Sequence, residues 1–248
     1  MKFSLIIALS VLLLQSQLSQ AQIIRVDTIR QSTKLKQAPY KSQELYIYTI
    51  GIKTFSVEEF PRILNQTNED EFLNTAMSGV FLKLNDNQIS YRISASLFSK
   101  NMSFENDCKE CEEVNGKLKD FSARSGFEKN FNYGLLQPYF AFDIGYRRTS
   151  FEGNGHSVPS LGFSNPYEVS TLKNGFLMSP NFGLKINVIS HITISAEAGL
   201  DLLYSYEKQE KVYQDASRNR TFNEYKKWEF LLKPLTMLSI QYNFGPSF

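Results

Sequence analysis

Residues 228–244 alternate. One register reads Trp228, Phe230, Leu232, Pro234, Thr236, Leu238, Ile240, Tyr242, Phe244, and the other reads Glu229, Leu231, Lys233, Leu235, Met237, Ser239, Gln241, Asn243. A period of two held this long is a β-strand with two unlike faces, one continuously apolar and one mixed with polar groups. Phe230 and Tyr242 lie twelve residues apart. On a strand tilted about 45° they stand roughly 28 Å apart along the axis. That is close to the roughly 25 Å apolar band of an outer-membrane barrel, which carries aromatic girdles at its edges.

The rest of the chain repeats the pattern. Strands are expected at about 45–55, 78–85, 89–99, 118–131, 137–150, 176–188, 192–206 and in the stretch above. Short turns are expected at Asp86-Asn87, Asn132-Tyr133-Gly134 and Ser190-His191. Residues 56–76, 100–117, 151–175 and 207–223 are polar and read as long loops. Long and short connections therefore alternate, as in an up-and-down barrel with short turns at one end and long loops at the other. The expected fold is all-β, an eight-stranded antiparallel up-and-down transmembrane β-barrel over residues 44–248. Several strands exceed the 9–11 residues needed to span and are expected to continue as a sheet above the membrane.

Residues 1–21 read as a signal peptide. Lys2 is the basic start, residues 3–14 are apolar but too short to span, and Ser19-Gln20-Ala21 fits a cleavage site. Residues 22–43 read as a periplasmic lead-in. The aromatic share is 14%, with 20 Phe and 13 Tyr, which suits girdles. A net charge of +2 gives no electrostatic case for nucleic acid.

The segment Pro138-Tyr139-Phe140-Ala141-Phe142-Asp143-Ile144-Gly145-Tyr146 resembles a mid-barrel strand of the small OmpA-like outer-membrane barrels, especially the Bacteroidetes type. Phe182-Gly183-Leu184-Lys185, Ala198-Gly199-Leu200 and the ending Gln241-Tyr242-Asn243-Phe244 are similar. The resemblance implies the bacterial outer membrane as location and its lipid as surroundings. It also implies recognition by barrel-assembly machinery through a C-terminal aromatic, Phe248 or Phe244.

Two readings of the faces compete. In a soluble lipocalin-like barrel the apolar register packs inside; in a membrane barrel it faces lipid. Trp228, Phe230, Phe140, Phe142, Phe182, Tyr146 and Tyr242 are too bulky for one eight-strand interior, whereas Gly145, Gly183 and Gly199 fall on the polar register. The membrane reading follows. It places Arg92, Arg124, Glu128, Asp143, Arg147, Lys185, Glu197, Asp201, Glu229 and Lys233 in the lumen, where burial demands pairing.

Chemistry is sparse. Cys108 and Cys111 are the only thiols, and in an oxidising envelope they are expected to staple the second outer loop as a disulfide. His156-Ser157 invites comparison with lipid-modifying barrel enzymes but has no readable carboxylate partner. Asn68-Glu69-Asp70-Glu71 lacks calcium-loop spacing. No catalytic, cofactor or metal residue is assigned. The expected role is structural or interactive, through outer loops that meet an unidentified surface partner. A small pore is the second reading and a lipid-modifying enzyme the third.

Overall fold

A computed structural model describes residues 46–63, 72–86, 89–105, 111–158, 165–214 and 219–247. Side chains at 104–105, 111–112, 157–158, 165 and 247 are not among those described. The leader and lead-in, Cys108, the side chains of Cys111 and Ser157, the acidic Asn68–Glu71 tetrad, Asn87 and Phe248 therefore lie outside the described residues.

Eight strands follow one another. They are β1 (Tyr46–Glu59), β2 (Phe72–Asp86), β3 (Ile89–Glu105), β4 (Cys111–Asn130), β5 (Leu136–Val158), β6 (Asn165–Ile189), β7 (Ile192–Tyr213) and β8 (Arg220–Ser247). Each pairs antiparallel with its successor, and β1 pairs with β8, for example Ile50 with Tyr242 and Ile52 with Ile240, so the sheet closes on itself.

Three of the four expected long loops are mostly strand. Residues 100–105 and 111–117 belong to β3 and β4, 151–158 and 165–175 to β5 and β6, and 207–213 and 220–223 to β7 and β8. On β4, β5 and β6 the alternation continues there with its polarity reversed, so Val114, Phe151, Tyr167 and Val169 turn inward, while on β7 the inward residues are Glu207 and Gln209. Phe60, Ile63, Leu73, Val114, Leu118, Phe151, Tyr167 and Val169 form one buried cluster at this end of the barrel. Lower down, the outward side chains are the apolar ones.

One expected face assignment changes. Thr236 leaves the outward register and is buried, donating to Asn181 Oδ1 at 3.3 Å. Between Glu197↔Met237 and Gly199↔Lys233, β8 carries two more residues than β7. Pro234 lies within that bulge and brings no N–H to the ladder.

Candidate functional site

The inward register brings charges to the barrel axis. Among the described residues six cations and six carboxylates are buried: Lys83, Arg92, Arg147, Lys173, Lys185 and Lys233 against Asp120, Glu128, Asp143, Glu197, Asp201 and Glu207. Sign balance is what permits so many ions in a narrow interior, since each unpaired one costs several kcal/mol.

Most of them tie strands that are not neighbours in the sheet. Arg92 of β3 grips Asp143 of β5 with two bonds, Nε to Oδ1 at 2.8 Å and Nη2 to Oδ2 at 2.5 Å. Its Nη1 reaches Glu197 of β7 at 2.5 Å. The planar guanidinium suits this fork. The Tyr139 hydroxyl donates to the same carboxylate at 2.7 Å. Lys83 of β2 donates to Glu128 of β4 at 2.6 Å, and Lys185 of β6 pairs with the other oxygen of Glu128. Arg124 of β4 meets Asp201 of β7 at 3.1 Å. Lys233 of β8 joins Asp201 at 2.5 Å to Glu58 of β1 at 3.2 Å, and Glu58 also pairs with Lys53. Charged groups from all eight strands take part.

Nearer the apolar cluster, Arg147 Nε donates to Asp120 Oδ1 at 2.9 Å, and Lys173 pairs with Glu229. The chain leaving β1 folds into this mouth. The Arg62 carbonyl accepts from Lys173 at 2.8 Å and from Lys227 at 3.2 Å, and the Phe60 ring sits 5.2 Å from the Arg147 guanidinium. Towards the turn end the interior is polar, with Thr49, Asn85, Thr193 and Asn243 linked by bonds of 2.7–2.9 Å. Two cavities of about 50 Å³ remain along the axis, each with room for about three waters.

All ten sequence-expected lumen charges, from Arg92 to Lys233, stand in these ion pairs. The sequence reading missed Lys83, Asp120, Lys173, Glu207 and the inward turn of Glu58. Lys83 carried a readable signal, since it alternates with the outward Leu82 and Leu84. Lys173 and Glu207 lay in stretches read as loop.

The outer surface is the second feature. Tyr146, Phe176, Tyr204 and Trp228 lie side by side across β5–β8, with ring centroids 6.0 Å apart for Tyr146–Phe176 and 4.8 Å for Tyr204–Trp228. The next outward row is Arg148, Asn174, Tyr206 and Lys226, so on β5–β8 the outward side chains turn mostly polar within one register step, while the row continues as the exposed Phe121 of β4 and Leu97 of β3. Towards the turns, Tyr48, Phe244, Tyr242, Phe140, Phe182, Phe127 and Phe142 form a second set of ring contacts. Between the two lie Ile50, Ile52, Val80, Leu82, Ile93, Ile144, Met178, Leu232 and Ile240, all exposed.

His156 has a partner that the sequence reading did not find. Glu113 stands opposite it across the β4–β5 ladder, 3.6 Å away, with both side chains about 40% exposed. Strand pairing over a gap of 43 positions has no local sequence signal. Among the described residues no group of His, Cys, Asp and Glu is arranged to hold a metal. The chain matches no family model and no curated protein.

Proposed function

We propose that this chain is an exported, non-enzymatic barrel of the bacterial outer membrane, structural or interactive in role, and related to the small OmpA-like barrels it resembles. The supporting observation is the outward belt of exposed apolar side chains, bounded by two aromatic rows and wrapped around a charged interior. Water disfavours a continuous apolar surface of this extent, and bilayer hydrocarbon solvates it. Residues 1–21 serve export, the surrounding lipid is the partner of the belt, and the strand extensions above Tyr146 and Trp228 stand outside the cell.

The soluble lipocalin-like reading needs the apolar register inside, and the observed faces are the opposite. The pore reading needs an open axis. The ties centred on Arg92, Glu128 and Asp201, with Phe60 and Ile63 folded into the mouth, weigh against it.

Gel mobility of the outer-membrane fraction, unboiled against boiled, tests the proposal. A folded membrane barrel resists the detergent and shifts on boiling. Recovery in the soluble periplasmic fraction with no shift would refute it.

A further inference from the structure

The ring of strands is complete only in its lower part. β2 pairs with β3 from Asp86↔Ile89 up to Gly79↔Ser96 and no further, while its pairing with β1 continues to Glu59↔Phe72. The parting has a local cause. Between Lys53↔Gly79 and Phe55↔Ala76, β2 carries one residue more than β1, and there Met77 takes φ +50, the left-handed region that favours glycine. Past this bulge β2 stays with β1, and the buried Leu73 joins Phe60 and Ile63 in the apolar cluster. Residues 97–103 of β3 are left paired with β4 alone, from Leu97↔Phe121 to Ser103↔Asn115. Among the described residues nothing pairs with their other edge. Among the described residues β8 is also unpaired on its β1 side above Val57↔Leu235.

The two edges differ. The upper part of β8 carries Arg220, Glu224, Lys226, Lys227 and Glu229, and the Leu232 N–H donates to Glu59 Oε2 at 2.7 Å. Charges and such contacts are how natural edges refuse another strand. β3 presents Leu97, Ser99, Asn101 and Ser103 outward, with Lys100, on the register of Phe98 and Met102, as the single charge of residues 97–103.

We propose that residues 97–103 of β3 bind an extended segment of another polypeptide by strand addition, apolar on its inward positions and acidic on its outward ones. On the inward side Phe98 and Met102 flank the apolar cluster, and Phe98 meets Phe60 edge-on at 6.4 Å, so an added strand extends that layer. On the outward side Lys119 stands opposite Ser99 and Lys117 opposite Asn101, both exposed. An added strand lies about 4.8 Å beyond β3 and so about 9.6 Å from β4, a span that an extended lysine and an extended glutamate side chain bridge together across β3. Main-chain bonds supply affinity and the alternating side chains supply selection. A second copy does not fit. Copies in one membrane are related by an axis along its normal, which crosses two tilted β3 edges instead of laying them antiparallel. This exclusion, and the outward position of the edge, rest on the membrane reading above.

The test uses the full mature chain refolded in detergent micelles, with its shift on boiling scored in every sample. The probe is a short labelled peptide of alternating valine and glutamate, compared with one of alternating valine and lysine. The glutamate peptide is expected to slow amide exchange at residues 97–103 by about tenfold or more and to leave 220–231 unchanged. Lys117→Glu with Lys119→Glu is expected to switch the preference to the lysine peptide. Of Ser99→Pro and Lys100→Pro, one removes an N–H facing the open edge and the other an N–H bonded to β4. The former keeps the mobility shift and abolishes protection. Protection absent at β3, equal protection at β8, no charge preference, or a dimer that excludes peptide would each overturn the proposal. A missing shift would instead count against the membrane reading.

Discussion

Arg92 Nη1 lies 2.5 Å from Glu197 Oε1, a bond that crosses the barrel from β3 to β7. Because the same guanidinium holds Asp143, its loss would leave two buried carboxylates facing each other. Arg92→Leu is expected to destabilise the barrel by about 3–5 kcal/mol, the range for stranding a buried partner. Arg92→Leu with Glu197→Leu should cost less than the sum of the two singles. Urea unfolding in micelles reads both, and strictly additive losses would show that the bond carries no coupling.

Gly183 and Tyr139 share one volume. A Cβ on Gly183 would fall 2.3 Å from the Tyr139 ring, and that ring's hydroxyl is the second donor to Glu197. Gly183→Ala is therefore expected to cost about 1–3 kcal/mol through overpacking, and to cost much less in a Tyr139→Ala background. An equal penalty in both backgrounds would trace the effect to the backbone instead.

The strands were legible where burial is one-sided and polarity holds for many residues. Residues 228–244 show this, as do the outward Ile144, Tyr146, Phe182 and Leu184. Legibility ended where the two faces exchange character. On β6 the inward set runs Tyr167, Val169, Thr171, Lys173 and then Leu177, Ser179, Asn181, so no single hydropathy sign marks it, and the period of two reads as mixed loop. Thr236 was misassigned because the bulge at Pro234 re-aims side chains that strict alternation cannot track. The lumen charges were readable as a set because they share a register. Their partners were not, since pairing across the axis is fixed by stagger and not by sequence distance.

A closed interior predicts electrical silence. Planar bilayers containing the purified protein should show no steady conductance step, because the Arg92–Asp143–Glu197 tie bridges the axis. Phe60→Ser with Ile63→Ser should also remain silent, since it opens only the mouth above that tie. Regular steps in the unmodified protein would restore the pore reading.

His156→Ala tests the enzyme reading. The His156–Glu113 pair is exposed and lies on the strand extension beyond Tyr146, away from lipid in the proposed orientation. Its removal should leave the lipid A acyl pattern of expressing cells, read by mass spectrometry, the same as with the unmodified protein. Expression that trims an acyl chain, with trimming lost in His156→Ala, would establish catalysis.

Trp228 is the only tryptophan and sits in the upper aromatic row, one register step below Lys226. That makes it a depth gauge. An indole at a membrane interface keeps its apolar body near the acyl chains and its N–H near water and headgroups. In vesicles of brominated lipids its fluorescence should be quenched most by bromines high on the acyl chain and least by bromines near the chain terminus. Phe230, one step deeper, supplies the control, since Phe230→Trp with Trp228→Phe should shift the strongest quenching inward. No quenching at either position, with emission like that of indole in bulk water, would place the belt outside the bilayer and overturn the proposed function.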